Sequence, residues 1–256
     1  MTFVAVEGEP AGSSLSQEWQ TAYQRYAATF FQHSLFRVRE KALAESNYSL
    51  HDFGPVTRAG RSARRMVVFP NTGGKAIWIL DIDAQTSVPL YSAEFDNSLQ
   101  MLAEVEVVSF APTAALITPM ATLLNVTQTP DFATAVGLMG SPSGLVEPNL
   151  PTVPDFSVDR YEVQYDALNG QRKLVINYSD GIDQFVIVQV PGALDPFDGL
   201  PSQVAGGART IARFRDPALS ALVFWEGDVS FYLAGRGVMQ RLDGVAKRLY
   251  LQALSN

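Results

Sequence analysis

Two aspartates separated by one residue are the clearest candidates for acid or metal chemistry in this sequence. Asp81 and Asp83 lie in the segment WILDIDAQ, whose apolar residues predict a β-strand. Residues two apart on a strand share a face, which is the arrangement that paired catalytic acids or a bound cation would need. The alternative interpretation is a polar strand end that only meets solvent. We favour this alternative, because no nucleophile or base accompanies the pair.

The two histidines and a second aspartate pair supply no recognisable catalytic motif. His33 and His51 are the only histidines, and Asp52, next to His51, would point to the opposite face of a strand. Asp180 and Asp183, in SDGIDQF, do not have the remaining ligands of a calcium loop and fit a hairpin turn better. The sequence contains no nucleophile elbow, dinucleotide fingerprint or P-loop spacing. We therefore predict a protein that is not an enzyme and that uses no metal or cofactor.

A basic cluster stands out in an otherwise acidic chain. Arg58, Arg61, Arg64 and Arg65 lie close together, whereas the whole chain has a formal net charge of -7. Such a patch is a candidate site for a phosphate, an anionic lipid headgroup or an acidic partner. The alternative is a set of basic side chains that guards an exposed strand edge. The acidic balance of the whole chain argues against nucleic-acid binding.

The composition is that of a globular protein. The 256 residues are 47% hydrophobic and 18% charged, which supplies enough apolar side chains for one large or two ordinary domains. There is no cysteine, so disulfides, thiol catalysis and cysteine-bound metals are excluded. No segment reaches the ~20 consecutive apolar residues that a membrane-spanning helix needs, and the start does not have the pattern of a signal peptide. We expect no transmembrane segment in this chain.

The elements that must position these residues are mostly antiparallel strands. Between residues 53 and 110, apolar-rich segments follow one another with only turn residues between them, which predicts an antiparallel meander. Aromatic residues at helical spacing within residues 17–32, Phe30 among them, predict a helix that packs on this sheet. Further alternating strands and a helix at about residues 238–254 predict a second, smaller module.

A segment rich in proline and glycine separates the two predicted modules. Proline interrupts helices and cannot serve in a central strand, so we predict a linker at residues 126–156. The predicted domains are then a sheet domain with its helix at residues 1–125 and a small α+β domain at residues 157–256.

Several short motifs occur in both halves of the chain. In the first half they are Ala59-Gly60-Arg61-Ser62-Ala63, Ile77-Trp78-Ile79-Leu80-Asp81, Val88-Pro89-Leu90 and Val107-Val108-Ser109-Phe110. In the second half they are Tyr178-Ser179-Asp180-Gly181, Gly207-Ala208-Arg209 and a strand near Gly235. Together these motifs resemble the RseB/MucB family of periplasmic sigma-E factor regulators. The resemblance begins at about Tyr48. It departs from the family pattern where Thr86-Ser87-Val88 replaces the usual Thr-Gly-Leu, and where the segment before Tyr48 is shorter.

The resemblance implies both a fold and a function. The fold class would be α+β, with a LolA/LolB-like antiparallel half-barrel and a packing helix, followed by a small antiparallel α+β domain. The protein would be a non-enzymatic regulator in the periplasm or another extracytoplasmic compartment. It would bind the periplasmic part of a membrane-anchored anti-sigma factor, protect it from proteolysis, and release it on sensing a lipid-like signal. The alternatives are a lipoprotein carrier or outer-membrane assembly factor on the same scaffold, and a hydrolase using Asp81 and Asp83.

Two sets of candidate site residues follow from this interpretation. An apolar cavity for a lipid or a lipoprotein acyl chain would be lined by Phe30, Trp78, Leu80, Phe95 and Leu102. A patch for an anion or a partner protein would consist of Arg58, Arg61, Arg64 and Arg65.

Overall fold

A computed structural model of the protein describes residues 36–110, 124–150, 155–166, 170–192, 212–216, 219–235 and 239–254. These residues form two compact units. The first, here called the meander unit, comprises the described residues between His33 and Ala121 together with the turn Ser179–Asp183. The second, here called the seven-stranded unit, comprises the other described residues. The predicted helix at residues 17–32, with Phe30, lies outside the described residues.

The described part of the meander unit consists of a short helix and a five-stranded sheet. Its elements are α1 (Lys41–Asn47), β1 (Tyr48–Arg58), β2 (Arg61–Pro70), β3 (Ile77–Asp83), β4 (Pro89–Phe95) and β5 (Met101–Glu106). The strands are hydrogen-bonded in the order β1-β2-β3-β4-β5, and each adjacent pair is antiparallel. This arrangement confirms the predicted antiparallel meander.

The turn between β1 and β2 consists of Ala59 and Gly60. Both residues have positive φ angles, 47° and 71°. A two-residue hairpin turn needs this conformation so that it follows the right-handed twist of its strands. The turn places Arg58 directly opposite Arg61, so two of the clustered arginines lie at one end of the sheet.

The apolar core of the meander unit lies on one face of its sheet, here called the core face. This core comprises Ala44, Tyr48, Val68, Ala76, Trp78, Leu80 and Ile182, with Phe36, Met66 and Ile82 packed against it. Successive side chains of a strand point to opposite faces. Asp81 and Asp83, which alternate with Leu80 and Ile82 on β3, therefore lie on the other face, here called the charged face.

The seven-stranded unit contains a second sheet and two described helices. Its elements are β6 (Leu124–Thr129), α2 (Phe132–Leu138), β7 (Ser157–Asp166), β8 (Gln171–Ser179), β9 (Gln184–Pro191), β10 (Ala212–Asp216), β11 (Leu219–Glu226), β12 (Val229–Gly235) and α3 (Met239–Ala253). The strand order is β10-β11-β12-β9-β8-β7-β6. Leu242, Val245 and Leu249 of α3 are buried in a core with β8, β9, β11 and β12. Two largely antiparallel sheets with short helices make an α+β fold, as predicted.

Residues 126–156, the predicted linker, include most of β6 and all of α2. β6 pairs with β7 from Leu124 opposite Asp166 to Thr129 opposite Tyr161. Asp131 caps α2, because its side chain accepts a hydrogen bond from the N–H of Thr134 at 2.7 Å. The division into domains at residues 1–125 and 157–256 stays a prediction.

Candidate functional site

A row of polar side chains crosses the charged face of the meander unit. Arg65 lies opposite Asp81, Asp81 opposite Tyr91, and Tyr91 opposite Glu106. Directly opposed residues of an antiparallel sheet share a face and lie close together. The register of four strands therefore assembles these four side chains, which are far apart in the sequence.

Asp81 lies at the centre of this row and is fully buried. Arg65 donates hydrogen bonds to both carboxylate oxygens of Asp81, from Nε at 2.8 Å and from Nη2 at 2.9 Å. Arg58 donates from Nε to Oδ2 at 2.5 Å. Burial raises the pKa of Asp81, but the hydrogen bonds from Arg65 and Arg58 outweigh it and leave the pKa below its ordinary value. Asp81 is therefore an ionised acceptor at neutral pH, which does not suit it to proton transfer.

Arg58 connects β1 and β5, the two ends of the described strand order. Its Nη1 donates to Glu106 Oε1 on β5 at 2.9 Å, and its Cζ lies 4.0 Å from the centre of the Tyr91 ring. Adjacent strands are about 4.8 Å apart, so a flat sheet would separate β1 from β5 by about 19 Å. An arginine side chain does not reach that far. The sheet therefore curls toward its charged face at this end.

Asp83 forms a second ion pair at the end of β3. Arg61 donates to its two carboxylate oxygens at 2.8 Å and 2.9 Å. Thr86 donates its backbone N–H and its hydroxyl to Oδ2 at 2.9 Å and 2.6 Å. The hydrogen bonds from Arg61 and Thr86 hold the pKa of Asp83 well below its ordinary value. The carboxylate of Asp83 thus fixes the turn between β3 and β4.

The two aspartates singled out in the sequence share a face, as their spacing predicts. Each is nevertheless held by its own arginine partners, so they do not form a shared acid pair. Among the residues that the structure describes, no group of three or more His, Asp or Glu side chains is arranged to hold a metal ion. The arrangement fits a structural role at the strand end better than acid or metal chemistry.

The four arginines of the predicted patch lie on both faces of the sheet. Arg58, Arg61 and Arg65 contact carboxylates on the charged face. Arg64 lies opposite Ile82 on the core face, where it is exposed and pairs with Asp52. Each guanidinium therefore already has a carboxylate partner. Binding of an external anion by these residues stays a prediction.

The structure also divides the predicted apolar cavity residues. Trp78 and Leu80 are buried together in the core face. Phe95 lies opposite Ile77, which shares a face of β3 with Asp81, so Phe95 lies on the charged face. Leu102 is the extra residue of β5 at the point where its pairing with β4 shifts register. Lipid binding by this set stays a prediction.

A buried ion pair in the meander unit involves a residue that is distant in the sequence. Asp180 is fully buried, and its Oδ2 accepts a hydrogen bond from Tyr48 Oη at 2.8 Å and lies 3.4 Å from Lys75 Nζ. Its backbone carbonyl accepts a hydrogen bond from Asn47 Nδ2 at 2.9 Å. The sequence pattern SDG predicts a turn here, but nothing in the sequence indicates that this carboxylate meets Lys75 and Tyr48.

Sequence reasoning also missed three residues of the charged face, namely Tyr91, Glu104 and Glu106. Burial, followed by a hydrogen bond with Glu104, raises the pKa of Tyr91. Glu104 and Glu106 alternate with Val105, which is the available sequence signal that both share one face of a strand. Their position beside Tyr91 and Arg58 depends on the strand register and on the curl of the sheet.

Comparison with known proteins reveals similarity of structure. No protein-family model matches the chain. No curated protein matches it either. None of the described helices is long and apolar enough to cross a membrane.

Two solved structures of MucB share the architecture described above. MucB in complex with MucA(peri) has a TM-score of 0.52 and 17% identity, covering 81% of this chain and 68% of that chain. The complex structure of Pseudomonas aeruginosa MucA/MucB has a TM-score of 0.51 and 17% identity, covering 84% of this chain and 69% of that chain. At this identity the similarity concerns the fold, and it agrees with the resemblance to the RseB/MucB family noted in the sequence. The chain has the fold of MucB.

Proposed function

We propose that this chain is a non-enzymatic regulatory protein of the periplasm or another extracytoplasmic compartment. Its partner would be the extracytoplasmic segment of a membrane-anchored anti-sigma factor. By binding that segment, the protein would protect it from proteases. The sigma factor would then stay bound to the anti-sigma factor until this protein dissociates from the segment.

The observation that supports this proposal most is the fold shared with MucB, which was solved in complex with MucA. The motifs around Trp78 and around Asp180 resemble the same family. The chemistry of the charged face points the same way. Asp81 and Asp83 are engaged by arginines and lie in an arrangement that favours a fixed surface over a reacting one.

The proposal includes release of the partner by a lipid-like envelope signal, as the family resemblance implies. Trp78 and Leu80 on the core face are the first residues to examine for such a ligand. Their close packing with Tyr48 and Val68 means that an acyl chain would have to displace side chains from this core. Lipoprotein carriage on the same scaffold would need a similar rearrangement, and no described contact favours it.

Protection from proteolysis tests the proposal. The extracytoplasmic segment of the anti-sigma factor from the same genome would be digested with and without the full chain, and its half-life would be measured. Because only the free fraction is cleaved, 90% occupancy should lengthen the half-life about ten-fold. A scrambled segment of the same composition is the control. An unchanged half-life for the native segment at a large excess of the chain would contradict the proposal.

A further inference from the structure

Four large apolar side chains are exposed on β5 and on the residues that flank it. Leu99 is 69% exposed, Met101 45%, Val105 44% and Val108 90%. They fall within residues 99–108, here called the β5 segment. Met101, opposite Phe95, lies on the charged face and Val105, opposite Ser92, on the core face, so apolar side chains are exposed on both faces along β5.

Among the described strands, β5 has a neighbour on one side only. β5 lies at one end of the strand order, with β4 on one side and no described strand on the other. The N–H of Val107 donates to the carbonyl of Leu90 on β4 at 2.9 Å. Successive N–H groups of a strand point alternately toward one neighbouring strand and toward the other side. Since the N–H of Val107 points toward β4, the N–H groups of Glu106 and Glu104 point away from β4. Outward N–H and carbonyl groups of this kind are a template for strand pairing.

The side chains of β5 define the chemistry of a matching strand. Glu104 and Glu106 are exposed on the charged face, and Val105, opposite Ser92, is exposed on the core face. The strand MLAEVE contains no lysine, arginine or proline, the residues that commonly guard an exposed edge. The complementary partner is an extended segment in which basic residues alternate with apolar ones.

We propose that β5 receives such a segment of the partner protein, which adds to the meander as a sixth strand. The backbone of the partner segment would form hydrogen bonds with the outward N–H and carbonyl groups of Glu104 and Glu106. The basic side chains of the segment would lie beside the two carboxylates, and its apolar side chains would cover Val105. Strand addition of this kind gains affinity from the backbone hydrogen bonds and specificity from the alternating side chains. The identity of the partner rests on the proposed function, whereas the binding surface and its chemistry rest on β5.

The test compares four variants of the full chain in their affinity for the anti-sigma segment. Glu104→Pro removes an outward N–H without removing a hydrogen bond to β4, and Val105→Lys adds a positive charge where an apolar side chain should pack. Thr57→Pro and Leu50→Lys make matched changes at exposed positions on β1, the opposite edge strand. We expect the two β5 variants to weaken binding by about ten-fold or more, and the two β1 variants to stay within about two-fold. Circular dichroism verifies that each variant folds. If Glu104→Pro does not fold, the affinity of Val105→Lys decides the test.

The possible results separate the two proposals. Equal affinity in the wild-type chain and in both β5 variants would overturn the β5 proposal and leave the proposed function standing. No binding by the wild-type chain would overturn the proposed function and, with it, the partner named here.

Two further measurements check for other occupants of the edge. A wild-type dimer that Glu104→Pro converts to a monomer, with unchanged partner affinity, would assign the edge to a second copy and overturn the proposal. Hydrogen exchange should show the amides of Glu104 and Glu106 unprotected in the free chain and protected in the complex. Protection already present in the free monomer would mean that the chain covers its own edge, which also overturns the proposal.

Discussion

Asp81 is a fully buried carboxylate of the charged face that is paired with two arginines. The carboxylate has no exposed surface, whereas the side chains of Arg58 and Arg65 are 24% and 35% exposed. Removing one partner of a buried ion pair leaves uncompensated charge, which is strongly destabilising. The contribution of this cluster to stability therefore depends on the carboxylate more than on either arginine.

We expect Asp81→Asn to lower the free energy of unfolding by about 2–4 kcal/mol, toward the lower end because the arginines can recover some hydration. The measurement is urea denaturation of the full chain at pH 7. Asp52→Asn is the matched control, since Asp52 also pairs with an arginine, Arg64, but at an exposed position, where ion pairs contribute little. Equal losses in the two variants would contradict the role assigned to Asp81.

The pH dependence of stability provides a separate test at Asp83. Its pKa is lowered in the folded protein by Arg61 and then by Thr86, whereas an unfolded aspartate titrates near ~3.9. As pH falls, the unfolded state takes up the proton first, so the stabilising contribution is complete above about pH 4 and is lost below it. We expect Asp83→Asn to be less stable than the wild-type chain at pH 7, with a difference that shrinks as pH falls below about 4. Urea denaturation across this pH range measures the free energy of unfolding of both chains. A difference between them that stays constant with pH would contradict the role assigned to Asp83.

At the scale of elements, the turn Ser179–Asp183 completes the meander unit. The carbonyl of Gly181 accepts a hydrogen bond from the N–H of Arg39 at 2.8 Å. Gly181 has a φ angle of 102°, and a Cβ atom built there would lie 2.2 Å from the backbone nitrogen of Ala44. Glycine is therefore required here both for its backbone conformation and for the close approach to α1.

We expect Gly181→Ala to lower the free energy of unfolding by more than about 3 kcal/mol, because backbone strain and a backbone clash act together. Gly60→Ala is the control. Gly60 also has a positive φ, 71°, but nothing lies within 4 Å of its added Cβ, so about 1 kcal/mol of strain is expected. Thermal unfolding followed by circular dichroism compares the two. Similar losses would show that the contact with α1 is unimportant.

The strands of the meander were predictable because a half-buried strand alternates apolar and polar residues. The meander expected between residues 53 and 110 contains β2, β3, β4 and β5. β6 and α2 were not predicted, because the prolines and glycines around them mark breaks without showing that short elements lie between the breaks. The contact of Arg58 with Glu106 was not predictable either, since it requires the register of five strands and the curl of the sheet.

At the scale of the whole molecule, the sequence motifs resemble the RseB/MucB family and the fold is similar to that of MucB. The motifs around Trp78 and Asp180 hold residues that the structure places in one buried core and one buried ion pair. Residues at these positions therefore support the fold. Function has to be assigned from binding, because a fold can host many functions.

Isothermal titration calorimetry tests the central claim most directly, with the full chain titrated by the extracytoplasmic segment of the anti-sigma factor from the same genome. We predict a one-to-one complex with a Kd of about 1 µM or tighter, and no binding of a scrambled segment. Binding should become more exothermic as temperature rises, because burying apolar surface lowers the heat capacity. Absence of binding at about 100 µM of both components, at several temperatures, would contradict the proposal that this chain holds an anti-sigma factor.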